Sequence, residues 1–363
     1  MRVTVKIGTS SLTDESGRID VEAVAKVAAE VAAARDDGHE VLVVTSGAVA
    51  AGLPALGIEA ANRPRDARTL QAVSAVGQAQ LVQTWSDALA AHGLVAGQVL
   101  LAPLDFMVRT QYLHARSTVD RLLELGVVPV VNENDATADD EIRFGDNDRI
   151  AALLAQLAGC DLLLLLTDAP GLMDADPRLD ERASLIEEIV EVDQDLERLA
   201  GGAGTSRGSG GMASKLAAAK MASWAGVRAV IAQADRPGVV ADALAGVSGV
   251  GTVVQPRGAR LSARKLWIAF AVAPGGTVVV DAGAARALLG GGRSLLAAGV
   301  ERVEGSFTSG AAVEIMGPEG VVAKGIVSVG ADELRSMAGQ RSADLDGGSG
   351  AVVHADDLVV LPG

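Results

Sequence analysis

The 363-residue chain carries 31 basic against 46 acidic side chains, a formal net charge of −15, which argues against a general nucleic-acid binder relying on phosphate neutralisation. Four Phe, three Trp and one Tyr leave few base-stacking platforms. The single cysteine, Cys160, excludes an internal disulfide framework, reads as a buried inert thiol and fits a reducing cytoplasm. The longest apolar run, the leucines at 162–166, is too short to span a bilayer, and the length accommodates two domains.

Met1 leads straight into a strand pattern at 2–7 (R-V-T-V-K-I), with no signal peptide. The same apolar or β-branched character returns at 41–45, 127–131, 162–166 and 227–232, as expected for strands covered on both faces. Helical patterns lie between them at 21–35, 69–91, 115–125, 149–158 and 212–225. This alternation predicts a three-layer α/β/α domain over 1–255 with a mostly parallel sheet, and ligands at the carboxyl ends of its strands. Residues 256–272, with Arg257, Arg260, Arg264 and Lys265, read as an exposed linker. Over 273–363, short strand patterns between glycines (G-T-V-V-V-D, G-V-E-R-V-E-G, A-A-V-E-I-M, V-V-A-K-G-I-V-S-V) predict a small β-rich domain.

Only six of the basic residues are lysines, which draws attention to those beside glycines and strand ends. Lys6-Ile7-Gly8-Thr9 puts an ammonium near the end of the first strand, facing a bound phosphate or standing in solvent. Thr45-Ser46-Gly47-Ala48 offers hydroxyls and backbone N–H groups at a helix start, an anion site or an ordinary N-cap. Asn132-Glu133-Asn134-Asp135 is followed by Asp139-Asp140-Glu141 and Gly145-Asp146-Asn147-Asp148, giving seven carboxylates within sixteen residues. Such a cluster is a solvated acidic loop, or a set that holds an ammonium, hydrogen-bonds an amino acid or helps place Mg²⁺. Thr167-Asp168 follows the five leucines, and an aspartate there can neutralise or orient nearby lysines. Finally, S-R-G-S-G-G-M-A-S-K at 206–215 places glycines ahead of Lys215 in the first turn of a helix, where dipole and ammonium both favour anions. Leu216 after Lys215 breaks the Walker A spacing, and alone the string fits a phosphate cradle or a flexible loop.

The four histidines, His39, His92, His114 and His354, lie outside these segments. No Ser-His-Asp or Cys-His arrangement and no His/Cys metal cluster can be drawn. Phosphoryl transfer to a carboxylate needs no general base, because the acceptor is already ionised at neutral pH. Positioning two anions and screening their repulsion suffices, which lysines, Mg²⁺ and backbone N–H groups can do.

Taken together, V-K-I-G-T-S at 5–10, V-T-S-G-A-V-A-A-G at 44–52, V-P-V-V-N-E-N-D at 128–135, G-D-N-D at 145–148, L-L-L-L-T-D-A-P-G-L at 163–172 and G-S-G-G-M-A-S-K at 208–215 resemble the glutamate 5-kinases of the amino acid kinase family. The strings stand in the family order and the resemblance covers essentially the whole chain; the region from 273 resembles a PUA domain. The resemblance implies the amino acid kinase fold and ATP-dependent phosphorylation of the γ-carboxylate of L-glutamate to L-glutamyl 5-phosphate. That reaction is the first step of proline biosynthesis, with Mg²⁺ accompanying ATP and proline as feedback inhibitor. By matching position, Lys6 and Lys215 would flank the transferring phosphoryl group and Asp168 would orient them. Lys6, Thr167, Asp168, Ser209, Gly210, Gly211, Met212, Ala213, Ser214 and Lys215 would contact ATP. Ser46, Asp135 and Asn147 would hold glutamate, with Asp146 and Asp148 close by. No dedicated protein metal site is implied. A cytoplasmic homo-oligomer, dimer or tetramer, is expected.

Thr9 after Gly8 argues against an N-acetylglutamate kinase, whose lysine is typically followed by a glycine pair; aspartate, carbamate and nucleoside monophosphates are the other acceptors to weigh. From residue 273 onward six Arg/Lys face eleven Asp/Glu, the wrong sign for binding an RNA backbone. A regulatory or assembly role is expected for that region instead.

Overall fold

The computed structural model describes residues 1–137, 147–176, 180, 182–201, 211–258, 260–341 and 351–361. The chain divides into two compact units, Met1–Arg260 and Leu261–Gly363.

In the first unit the elements follow in the order β1 (Arg2–Ile7), α1 (Val21–Asp36), β2 (Glu40–Val44), α2 (Ala48–Ala55), α3 (Ala67–Ala90), β3 (Ala96–Leu101), α4 (Pro103–Met107), α5 (Arg109–Glu124) and β4 (Val128–Glu133). They continue with α6 (Asn147–Leu157), β5 (Leu162–Thr167), β6 (Glu188–Ile189), α7 (Gln194–Ala200), α8 (Met212–Trp224), β7 (Arg228–Gln233), α9 (Val239–Ala245) and β8 (Gly251–Val254). Among the described residues the strands form one eight-stranded sheet in the order β3-β4-β2-β1-β5-β7-β8-β6. Every neighbouring pair is parallel except β7 with β8.

The parallel core dictates where chemistry can gather. β1 pairs with β2 on one side and β5 on the other, and β2 pairs with β4, so the ends after Ile7, Val44, Glu133 and Thr167 share one edge of the sheet. Side chains alternate along a strand. Val3, Val5 and Ile7 join the core formed with α1, α3 and α9, whereas Thr4 bonds Cys160, just past α6, and Lys6 reaches the first turn of α6. The apolar runs are as deeply covered as two-sided burial requires: every residue of β4 and β5 is buried.

Two helices are welded at a glycine crossing. A Cβ on Gly77 of α3 would lie 1.8 Å from the Ala48 carbonyl oxygen, and one on Gly52 of α2 would lie 2.0 Å from that of Val73. Backbone therefore meets backbone, and α2, which begins directly after the Thr45-Ser46-Gly47 turn, is held rigidly against α3. Gly47 itself has φ +104°, a left-handed conformation that glycine adopts without strain.

β3 and the β6/β8 pair carry no continuous apolar run and are not legible as strands. β3 is the sheet edge, contains Gly97 and leaves alternate residues open, while β6 has two residues.

The second unit holds α10 (Ala263–Leu266), a π-helical turn (Trp267–Ala271), β9 (Gly276–Val280), α11 (Ala282–Leu289), β10 (Leu295–Leu296), β11 (Val300–Gly305), β12 (Ala312–Gly317), β13 (Gly320–Val327), α12 (Ala331–Met337) and β14 (Ala351–Val360). Its described strands form a six-stranded sheet, β10-β14-β13-β12-β9-β11, over a separate apolar core. The four strand patterns read from the sequence correspond to β9, β11, β12 and β13. The basic stretch read as an exposed linker is partly structured: Leu266 and Ile268 are buried, Ser262 caps α10, and the Lys324 ammonium donates to the Ala269 and Val272 carbonyls. Arginines flanking two apolar anchors masked that short helix.

Candidate active site

The shared edge of the sheet brings together two lysines and a carboxylate. Lys6 Nζ lies 2.6 Å from Asp148 Oδ1, and Lys215 Nζ lies 3.4 Å from Asp148 Oδ2; all three side chains are buried. Ser214 Oγ donates to Asp148 Oδ2 at 2.6 Å. Each group arrives from a different element: Lys6 from the end of β1, Asp148 from the first turn of α6, Ser214 and Lys215 from the first turn of α8. α6 and α8 pack against each other, nine of the eleven α6 residues being buried, which brings their N-termini to one place. Those N-termini add positive potential to the two ammonium groups.

Burial alone would push Asp148 up, but Lys6 first and Lys215 next outweigh it and hold its pKa down at about 2. The carboxylate is therefore ionised throughout the neutral range. Lys215 is shifted the other way: burial lowers its pKa, Asp148 opposes that, and the Lys6 charge adds to the lowering. The two buried ammonium groups and the helix N-termini make this a place that attracts a further anion.

Asp168, at the end of β5, accepts the Thr167 hydroxyl at 3.0 Å and acts on Lys215 as a more distant negative charge. The carboxylate in ion-pair contact with both lysines is Asp148, not Asp168. Gly211 caps α8, and Met212 and Ala213 form its first turn ahead of Ser214 and Lys215. Ser209, Gly210 and Asp146 lie outside the described residues.

A second group of polar side chains surrounds the ends of β2 and β4. Ser46 is buried in the turn after β2. Asn147 Oδ1 accepts the backbone N–H of Glu133 at 3.0 Å, tying the start of α6 to the end of β4. Asp135 is buried; its Oδ2 accepts the Ser74 hydroxyl at 2.8 Å, and its Oδ1 has no hydrogen-bond partner among the described residues. Burial raises the Asp135 pKa, opposed by the Ser74 hydrogen bond and the charge of Arg63. A buried carboxylate oxygen without a partner is costly, and a ligand N–H relieves that cost.

Several supporting residues were not singled out from sequence, and all belong to α3 or meet it. Trp85 Nε1 donates to Thr45 Oγ1 at 2.9 Å, and that hydroxyl donates to the Ser46 carbonyl at 3.0 Å. Gln78 Oε1 accepts from Asn132 Nδ2 at 3.2 Å. The available signal was polar side chains recurring on the buried stripe of α3, with Ser74 and Gln78 one turn apart.

Comparison with known proteins shows the family. The amino acid kinase family model matches residues 1–233, and the PUA domain model matches residues 276–348. The chain belongs to the amino acid kinase family and is thus a phosphotransferase that uses ATP. Among its relatives over nearly the full length are glutamate 5-kinases. The one from Citrifermentans bemidjiense is 44% identical, covering 99% of this chain and 97% of that protein. The one from Mycobacterium tuberculosis strain H37Rv is 46% identical, covering 99% of this chain and 94% of that protein. Among solved structures, the UMP kinase from Bacillus anthracis is similar at 18% identity and a TM-score of 0.47, over 70% of this chain and 95% of that one. No described helix is long and apolar enough to cross a membrane.

Proposed function

We propose that the chain transfers the γ-phosphoryl group of ATP to the side-chain carboxylate of L-glutamate, forming L-glutamyl 5-phosphate at the entry to proline biosynthesis in the cytoplasm. The observation that carries this reading is the buried Lys6–Asp148–Lys215 cluster at the strand ends, beside a buried carboxylate, Asp135, with an open acceptor oxygen. Full-length similarity to glutamate 5-kinases supports the choice of acceptor.

In this reading the acceptor carboxylate, already ionised, attacks the γ-phosphorus while the bond to the ADP oxygen breaks. Lys6 and Lys215 lie on the transferring group and offset the charge of two approaching anions. Asp148 fixes both ammonium groups without taking a proton, since its carboxylate is held ionised. Thr167, Asp168 and the first turn of α8 with Gly211 contact the nucleotide. Ser46, Asn147 and Asp135 hold glutamate, with the α-ammonium on Asp135. Mg²⁺ would accompany ATP and screen the charge of its phosphates.

Proline carries the same α-carboxylate and a two-donor ammonium, so it can occupy the Asp135 end of the acceptor site and act as an inhibitor. We assign the PUA unit a regulatory or assembly role in a homo-oligomer rather than RNA binding, on its acidic balance. Tight, salt-sensitive shifting of structured RNA by the protein would reverse that assignment. The acceptor assignment is tested by incubating the protein with ATP, Mg²⁺ and hydroxylamine and a panel of acceptors. Glutamyl hydroxamate from glutamate is expected; product from N-acetylglutamate or aspartate but not glutamate would refute it.

A further inference from the structure

Ser74 stands apart from the strand-end loops, in the middle of α3, and is fully buried. A serine inside a helix ordinarily returns its hydroxyl to a carbonyl of the preceding turn. Here the hydroxyl crosses to Asp135 Oδ2 at 2.8 Å, leaving Oδ1 as the open oxygen. The buried α3 residues around it, Val73, Gly77 and Leu81, are apolar or glycine, and the half-buried Gln78, one turn on, is the next polar side chain on that face.

Its position is also unusually fixed. Gly77, three residues on, and Val73, immediately before, are the points where α3 touches the backbone of α2. A hydroxyl anchored on a backbone-to-backbone crossing cannot drift without separating the two helices. The Asp135 carboxylate, by contrast, sits in a single 3₁₀ turn, Asp135–Thr137, which offers it little support.

Resting on the acceptor-site reading given above, we propose that Ser74 is a positioning residue for the acceptor, pinning the Asp135 carboxylate so that Oδ1 is free for the substrate α-ammonium. Ser74 acts through Asp135 and does not touch the reacting atoms. Because the open oxygen is buried and its carboxylate charged, an N-acylated acceptor, with one neutral amide N–H in place of the ammonium, pairs with it less well, so the pair selects free α-amino acids over N-acylated ones.

The test is steady-state kinetics on four full-length proteins: wild type, Ser74→Ala, Ser74→Thr and Asp135→Asn, plus the Ser74→Ala/Asp135→Asn double variant, with melting temperatures measured alongside. Ser74→Ala is expected to raise the KM for glutamate about tenfold, the scale of a lost hydrogen bond to a charged group. Its kcat and KM for ATP should move less than about twofold, and Ser74→Thr, which keeps the hydroxyl, should restore the glutamate KM. In the Asp135→Asn background Ser74→Ala should have little further effect, because the negative charge that the hydroxyl positions against the ammonium is gone. An unchanged glutamate KM in Ser74→Ala overturns the proposal. So does a Thr variant as impaired as Ala, or an equal effect of Ser74→Ala on both backgrounds. A fall in kcat and a rise in both KM values together with a lower melting temperature would mean a packing role and likewise overturn it. If the wild type uses a different carboxylate acceptor and not glutamate, the glutamate reading fails, and the same proteins decide the Ser74 proposal on that acceptor's KM.

Discussion

Lys6 and Asp148 lie 2.6 Å apart with side chains only 4% and 1% exposed, although one ends the first strand and the other opens a helix far along the chain. The contact follows from alternation on β1, which turns Lys6 away from the Val3/Val5/Ile7 face and towards α6. Lys215 completes the cluster from α8, so a single carboxylate is in ion-pair contact with two ammonium groups. One internal anion thus holds the two lysines together at the sheet edge.

Asp148→Asn removes that anion and leaves two buried like charges facing each other. Breaking a buried pair from one side costs about 3–5 kcal/mol, so the variant should melt well below the wild type. Nucleotide phosphates would then supply the missing negative charge, and the rise in melting temperature on adding ATP should be larger for the variant. Thermal melts with and without ATP check both points. The acid limb carries a related signature. The folded pKa of Asp148, about 2, lies below the ordinary carboxylate value of about 3.9. Its contribution to stability is therefore full above about pH 4 and is lost as pH falls towards 2.

Lys215→Ala should lower kcat by about 10²–10³-fold while raising the KM for glutamate only slightly, because the ammonium matters most as charge shifts during transfer. Initial rates with both substrates varied separate the two effects. A change confined to KM would make Lys215 a binding residue.

The acceptor site should respond to pH through Asp135. Burial raises its pKa, against the Ser74 hydrogen bond and the Arg63 charge, so it takes up a proton at higher pH than an ordinary carboxyl does. Once protonated it no longer pairs with an ammonium. The KM for glutamate should rise on the acid side, beginning above the ordinary range near pH 4, with the KM for ATP unaffected by this group. A glutamate KM that shows no rise on the acid side until the ordinary carboxyl range is reached contradicts the assignment.

Gly77→Ala should be among the most damaging small substitutions, since its methyl would meet the Ala48 carbonyl oxygen at 1.8 Å. Separation of α2 from α3 should cost at least about 1–3 kcal/mol, the range of overpacked cores. It should also raise the glutamate KM, because α3 carries Ser74 and α2 follows the Ser46 turn. Gly57→Ala, at an exposed turn with open space around it, serves as a comparison; its only strain is a φ of +67°.

Much of the kinase unit is legible because two-sided burial writes continuous apolar runs, as in V-V-P-V-V and the five leucines, and because glycine and lysine punctuate the strand ends. Lys6, Lys215, Ser46, Asp135 and Asn147 all stand out in this way. The choice between two strand-end aspartates is a different matter. Asp148 and Asp168 both open loops or helices at the sheet edge, and only the packing of α6 on α8 decides which one touches the lysines. Ser74 and Trp85 were hidden for the opposite reason: on an apolar helix stripe they look like packing, and their polar atoms acquire meaning only when Asp135 and Thr45 arrive from other elements. The edge strand β3 is not legible because an edge needs no apolar run.

The most direct measurement follows one oxygen atom. Glutamate labelled with ¹⁸O in its side-chain carboxylate is incubated with ATP, Mg²⁺, hydroxylamine and the protein, and the released inorganic phosphate is analysed by mass spectrometry. If that carboxylate attacks the γ-phosphorus, the bridging oxygen of the acyl phosphate leaves with phosphate when hydroxylamine takes the acyl group, and each phosphate carries one ¹⁸O. Unlabelled phosphate, formed at the same rate with or without glutamate, would show that water and not the glutamate carboxylate accepts the phosphoryl group, and would contradict the account.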